Sequence, residues 1–178
     1  MTATADTSAS TRFTLATRTL AQFDVMNFIE LVRGMGPVEL AETLDEFYGH
    51  CHAAFAEEGG RAVKFLGDAV LGTFPTEEDV EAAVRAFRRV EAALAEIVLT
   101  RGAGSSTGLR GSIHVGEVAE GRFGPDGLPD VIGADVNTLF VIAGPRRLVL
   151  SERAYRRLPN EARSAFHKRT GPTVYLAD

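Results

Sequence analysis

Two carboxylates in this chain are placed where they could work with metal ions. Asp24 lies at the end of an apolar run, Phe23-Asp24-Val25-Met26-Asn27-Phe28. Asp68 follows Gly67 in the gap between two other apolar runs. If their strands are neighbours, such a pair can hold two divalent ions about 3.5–4 Å apart. Ions held this way activate a hydroxyl oxygen and neutralise a triphosphate. Magnesium suits the task, because it prefers oxygen ligands and phosphate. A plainer role fits as well: Asp is common in turns, and a strand must end somewhere. Spacing alone does not choose between the two.

The elements that must position these groups follow from pattern. Arg18 to Met26 is short and apolar-rich, as a strand is. Pro37 to Glu58 reads as a helix, with Leu40, Leu44, Phe47, Tyr48, Cys51 and Phe55 recurring at spacings of three and four. Pro37 suits its first turn and Gly59-Gly60 its stop. Arg61 to Phe74 divides at Gly67-Asp68 into a hairpin. A second helix is expected from Thr76 to Thr100, with Thr76 as its cap and Glu77 and Glu78 at its positive end. Gly102 to Gly108 reads as a loop and Arg110 to Val115 as a strand. Glu117 to Asp130, with three glycines and two prolines, reads as a loop or a long irregular hairpin. A short helix is expected over Ala134 to Ile142, and a strand over Arg147 to Leu150. A helix capped by Ser151 should run to Leu158, and a closing strand from Thr173 to Leu176. Long helices and short strands without a regular crossover rhythm imply an α+β sandwich, its helices on one face of a mainly antiparallel sheet.

The bulk numbers narrow the function classes. At 178 residues the chain suits one domain, 12–178, behind a small polar tail, 1–11. A net charge of −5 argues against nucleic acid as the partner. The opening residues lack the apolar core of a signal peptide, and no apolar run is long enough to span a membrane. The single cysteine, Cys51, excludes an internal disulfide and suits a cytoplasmic protein. His50 and His52, two apart on a helix, point different ways and make no metal pair. Cys51 falls in the apolar stripe. His114 alternates along a strand, and nothing in its setting recommends it as a base.

Lys64-Phe65-Leu66-Gly67-Asp68-Ala69-Val70 resembles the hairpin of class III adenylate and guanylate cyclases, with Gly59-Gly60 before it. Phe23-Asp24-Val25-Met26-Asn27-Phe28 resembles that family's first metal-binding segment, with Asn27 where glycine is usual. Ser112-Ile113-His114-Val115-Gly116-Glu117-Val118 is similar to the following core strand. Gly121-Arg122-Phe123-Gly124 is similar to the start of the dimerisation hairpin. Asp130-Val131-Ile132-Gly133-Ala134-Asp135-Val136-Asn137 resembles the segment with the catalytic asparagine, and Ser151 to Leu158 the helix after it. The order holds from about residue 18 to 176.

The resemblance implies a ferredoxin-like sandwich and definite roles. Asp24 and Asp68 would bind two magnesium or manganese ions, with help from the Val25 carbonyl. The substrate would be ATP, converted to cyclic AMP and pyrophosphate, with Asn137 orienting the ribose. Lys64 and Asp130 stand where the adenine-selecting pair sits: an ammonium can donate to N1, and a carboxylate can accept from the 6-amino group. Lys168 is a candidate for gripping the triphosphate. The family's sites form at a head-to-tail dimer interface, so a homodimer is implied. The chain departs from the pattern in two ways. Val141 stands where the family has a transition-state arginine, and the stretch from Asn137 to Ser151 is about three residues short. Arg146 and Arg147 lie nearby. Weak activity, a heterodimer partner that supplies the arginine, and a non-catalytic nucleotide-binding or interaction protein are the readings this leaves. A diguanylate cyclase is disfavoured, because the chain has no Gly-Gly-Asp-Glu-Phe sequence.

Overall fold

A computed structural model describes residues 12–102, 106–144 and 148–177. The expected tail at 1–11, together with Arg146 and Arg147, lies outside the described residues. Eight strands form one sheet: β1 (Phe13–Met26), β2 (Arg61–Leu66), β3 (Ala69–Phe74), β4 (Gly108–Phe123), β5 (Leu128–Ile132), β6 (Leu148–Ser151), β7 (Phe166–Arg169) and β8 (Val174–Ala177). Six helices join them: α1 (Phe28–Leu31), α2 (Pro37–Glu57), α3 (Val80–Thr100), α4 (Ala134–Ile142), α5 (Glu152–Arg157) and α6 (Asn160–Arg163). The strand order is β2-β3-β1-β4-β6-β8-β7, with β5 paired to β4 off this path. Only the β4–β6 pairing is parallel. The mainly antiparallel α+β sandwich expected from the pattern is therefore present.

The two faces of the sheet differ. Ala21, Phe23 and Val25 of β1 point to one side, where they pack with Phe47 and Phe55 of α2, Phe87, Val90 and Leu94 of α3, and Ala154 of α5. Phe23 stacks on Phe55 with ring centroids 4.9 Å apart and meets Phe87 edge-on at 5.6 Å. Burying rings of this size dominates the stability of such a core. Leu20, on the other side of β1, packs with Leu71, Val118 and Val131 under Val136 and Leu139 of α4. Helices thus lie on both faces, not one. The second face carries only the nine-residue α4, and beyond that helix it leaves a polar strip along β1.

Several boundaries depart from expectation. Helix α3 begins at Val80, four residues after Thr76. Residues 76–79 form a turn instead, in which the Asp79 carboxylate accepts from both the amide and the hydroxyl of Thr76, at 2.7 and 2.9 Å. The glycine-rich segment after Glu117 is a hairpin: β4 runs on to Phe123, and only residues 124–127 form the turn. β1 starts at Phe13, because its first residues pair with that extended β4, Phe13 opposite Gly121. Ser151 caps α5 as expected, its hydroxyl accepting from the Ala154 amide.

Candidate active site

The sheet register brings the two predicted metal ligands together. Asp24 of β1 lies opposite Ala69 of β3, so the β2–β3 turn stands beside the end of β1. Gly67 takes φ +65°, which the tight turn requires and glycine supplies without strain. The turn is fastened on both sides. The Val25 amide donates to the Asp68 carbonyl at 3.0 Å, and the Tyr48 hydroxyl of α2 donates to the Gly67 carbonyl. Asp68 is near enough for its charge to act on Asp24. Asn27, where the family has glycine, takes φ +54°. Asn tolerates that left-handed conformation better than most residues, and here its side chain also donates to the Ser106 carbonyl at 2.8 Å.

Arg110 has no place in the sequence reading, yet it touches Asp24. It lies directly opposite Asp24 on β4, and its Nη2 donates to Asp24 Oδ2 at 2.9 Å. The signal in the sequence is faint: an arginine opening an otherwise apolar strand. Only the β1–β4 register, which spans 86 residues of chain, turns it into a neighbour. Burial pushes the Asp24 carboxyl above its ordinary range and the Asp68 charge adds to that, while Arg110 opposes it. The other oxygen, Asp24 Oδ1, is buried without a hydrogen-bond partner. A buried orphan oxygen is costly, and a hard cation shared with Asp68 would satisfy it. The donor set therefore fits an ion such as magnesium. Among the described residues, no cluster of three or more His, Cys, Asp and Glu side chains converges.

The second predicted pair also meets. Lys64 Nζ and Asp130 Oδ2 are 2.8 Å apart. A register shift between Ala62 and Lys64 in β2 sets Lys64 opposite Leu71, on the same side as Asp24. Bulges commonly re-aim side chains in this way. Asp130 comes from β5, whose hairpin curls back toward β2. The Asp130 side chain is 16% exposed and that of Lys64 36%. An ion pair this accessible contributes little, about 0–1 kcal/mol, and opens readily.

Two predicted residues stay apart from these groups. Asn137 is exposed on α4, and its side chain has no hydrogen-bond partner among the described residues. Lys168 is exposed on β7, at the opposite edge of the sheet from β2 and β3. Val141 is 75% exposed on α4 beside Phe140, which is 45% exposed. A cleft of about 440 Å³ lined by Thr17, Glu117, Arg153 and Arg157 contains none of the predicted site residues.

Three other titratable groups are accounted for by packing. Cys51 is fully buried, and burial pushes its thiol far up, as for a core residue. His114 is buried between Ser151 and Asp135. Burial lowers its basicity, and Asp135 opposes the change. Burial works to raise the Asp135 carboxyl, but the Glu117 amide, His114 and Arg153 outweigh it and hold the group below its ordinary range.

No protein-family model and no curated protein sequence matches the chain. Solved structures do match. A bacterial light-regulated adenylyl cyclase aligns with TM-score 0.78 and 19% identity over 95% of this chain. This chain spans about half (53%) of that one. A guanylyl cyclase aligns with TM-score 0.77 and 21% identity over 93% of this chain and 92% of its own. The adenylyl cyclase CyaB from P. aeruginosa aligns with TM-score 0.73 and 20% identity over 93% and 96%. No helix among the described residues is long and apolar enough to cross a membrane. The chain carries the fold of class III adenylyl and guanylyl cyclase catalytic domains.

Proposed function

We propose that this protein is a nucleotidyl cyclase that converts ATP to cyclic AMP and pyrophosphate at sites shared between two chains. The observation that carries this reading is the meeting of Asp24 with Asp68, and of Lys64 with Asp130, on one open sheet face of a cyclase fold. In the reaction the ribose 3′-oxygen bonds to the α-phosphorus. The bond from that phosphorus to the bridging oxygen breaks, and the hydroxyl proton leaves to solvent or to pyrophosphate.

Asp24 and Asp68 would hold two magnesium or manganese ions, with the Val25 carbonyl as a further ligand. Bound there, the ions would lower the pKa of the attacking hydroxyl and offset the triphosphate charge. Arg110 holds the Asp24 charge in the free chain. Once that charge is met otherwise, its guanidinium is free to take a phosphate oxygen in a forked contact. Lys64 would donate to adenine N1 and Asp130 would accept from the 6-amino group. Their mutual ion pair keeps both at the right depth and opens at small cost. Asn137 and Lys168, on other elements of the chain, would serve the cluster of a second chain by orienting the ribose and gripping the triphosphate.

Val141 favours one variant of this reading. Without the transition-state arginine, a symmetric dimer should be slow by about 10²–10³-fold, by analogy with the loss of one oxyanion donor. A heterodimer whose other chain supplies an arginine would restore the rate at the Asp24–Asp68 site. The test is cyclic AMP formation by purified protein with ATP and manganese, beside an Asp24→Ala, Asp68→Ala control. Product made by the wild type and lost in the control supports the reading. No product at high protein concentration, alone or with a class III chain that carries the arginine, would sink it and leave a non-catalytic nucleotide-binding protein.

A further inference from the structure

Helix α4 sits on a small base. It has nine residues, of which only Val136 and Leu139 are buried. A helix this short is not stable alone in water, and its N-cap, Gly133, offers no side chain to cap it. Asn137 is exposed on it, with no side-chain hydrogen bond among the described residues. The placement of that asparagine therefore depends wholly on how the α4 backbone is held.

Asp135, in the first turn of α4, gathers four elements at one carboxylate. Its Oδ2 accepts from the Glu117 amide of β4 at 2.7 Å. Its Oδ1 lies 3.3 Å from His114 Nε2, also on β4. The other ring nitrogen, His114 Nδ1, is 2.8 Å from the Ser151 hydroxyl, which closes β6 and caps α5 at the Ala154 amide, 3.2 Å away. Arg153 Nη1 of α5 stands 3.7 Å from Asp135 Oδ2. An ionised carboxylate only accepts, so His114 carries its proton on Nε2 and the Ser151 hydroxyl donates to Nδ1. The backbone is shaped around this carboxylate. A Cβ at Gly116 would fall 2.3–2.4 Å from Asp135 Cβ, Cγ and Oδ2.

We propose that Asp135 is a positioning residue that clamps α4 to β4 and so sets the place of Asn137, two residues further on. The proposal rests on the cyclase reading above. Ribose orientation is the step it serves, so its loss lowers turnover and leaves nucleotide affinity alone. A displacement of about 1 Å at a reacting group costs as much as 10²-fold in rate.

The test uses the full chain, with Asp135→Ala, Asp135→Asn, Asn137→Ala and the Asp135→Ala, Asn137→Ala double variant. Steady-state kinetics with ATP and manganese is paired with amide exchange over 134–142. Asp135→Ala should lower kcat roughly 10–100-fold with KM for ATP unchanged. The double variant should be no slower than Asn137→Ala alone, because both changes remove one function. Exchange over α4 should quicken while α2 and α3 stay protected. Asp135→Asn, which keeps one acceptor oxygen, should fall between wild type and Asp135→Ala, and it stands in if the alanine variant does not fold. Losses that multiply in the double variant, a raised KM with kcat intact, or unchanged α4 exchange would each overturn the proposal. A wild type that makes no cyclic nucleotide, alone or with a class III chain that carries the arginine, sinks the cyclase reading and any catalytic part for Asp135. Exchange over α4 would still decide separately whether the clamp exists.

Discussion

Two sets of candidate residues are held differently in this fold. At the β2–β3–β1 end, the candidate groups are held within the chain. Asp24 meets Arg110, Lys64 meets Asp130, and the Gly67-Asp68 turn is fastened by Tyr48 and Val25. On α4, over the middle strands, and on β7, other groups are presented with no partner among the described residues. Asn137 and Val141 are exposed on α4 with the half-exposed Phe140 between them in sequence, and Lys168 is exposed on β7. A protein that finished its chemistry within one chain would have little reason to hold two carboxylates at one edge and leave an asparagine and a lysine idle elsewhere. Under the proposed function, the first set would receive a nucleotide and the second would complete a site on a second chain.

The sharpest way to break this contrast is to empty the engaged set. Asp24→Ala or Asp68→Ala should reduce cyclic AMP formation by at least about 10³-fold, since under the proposed function each would remove a ligand shared by the two ions. Residual activity near wild type in either would end the claim that this edge receives the ions. In the presented set the expected change is a gain. Val141→Arg should raise the rate by up to about 10²-fold if α4 already sits correctly. An unchanged rate with a well-folded variant would trace the deficit to the shortened segment after Asn137 and not to the missing charge.

The base pair gives a smaller and more selective effect. Replacing Lys64 or Asp130 with alanine should lower kcat/KM for ATP by about 10–200-fold while sparing GTP, which presents the opposite donor and acceptor pattern. Equal losses for both nucleotides would remove these residues from base selection.

The smallest effect is a stability shift on metal binding. Manganese at 100 times its Kd should add about 2.7 kcal/mol and raise Tm by several degrees, and Asp24→Ala should abolish the shift. Its pH dependence has a definite sign. Burial raises the Asp24 carboxyl above its ordinary range in the folded, metal-free chain. That group's contribution to stability is therefore present below its unfolded pKa and lost as pH rises through the raised value. The ion competes with the proton for the same oxygens. The manganese-induced shift should thus shrink as pH falls through that raised value. A shift that is equal in acid and at neutral pH would mean the ion sits elsewhere.

Local features were the more legible ones in the sequence. Gly67-Asp68 between apolar runs, the apolar stripe of α2, the Ser151 cap and the α4 span all rest on local signals, and the structure has them at or near the expected residues. Long-range register carries the rest. β4, β5 and the turn between them pass through four glycines and two prolines from Gly116 to Ile132, and most of this stretch reads as a loop or a long irregular hairpin. β4 and β5 are strand because Asp135, Phe13 and their neighbours need close backbone approach. Residues 76–79 have helix-like composition, but the Asp79 carboxylate turns the chain there and delays α3. β7 is short and exposed apart from Phe166, so no alternation marks it. The contacts of Arg110 and of Asp135 are invisible locally, because each joins elements 18 or more residues apart.

The central claim is that the two sets act together only across two chains, and complementation tests it most directly. Purified Asp24→Ala protein lacks a complete receiving set but keeps Asn137. Asn137→Ala protein keeps Asp24 and Asp68 but lacks a complete presented set. Each alone should be nearly inactive with ATP and manganese. Mixed, they should regain a substantial fraction of wild-type cyclic AMP formation, because one intact site forms in each mixed dimer. An active wild type whose two variants remain silent when mixed would contradict the account and put the whole site in a single chain.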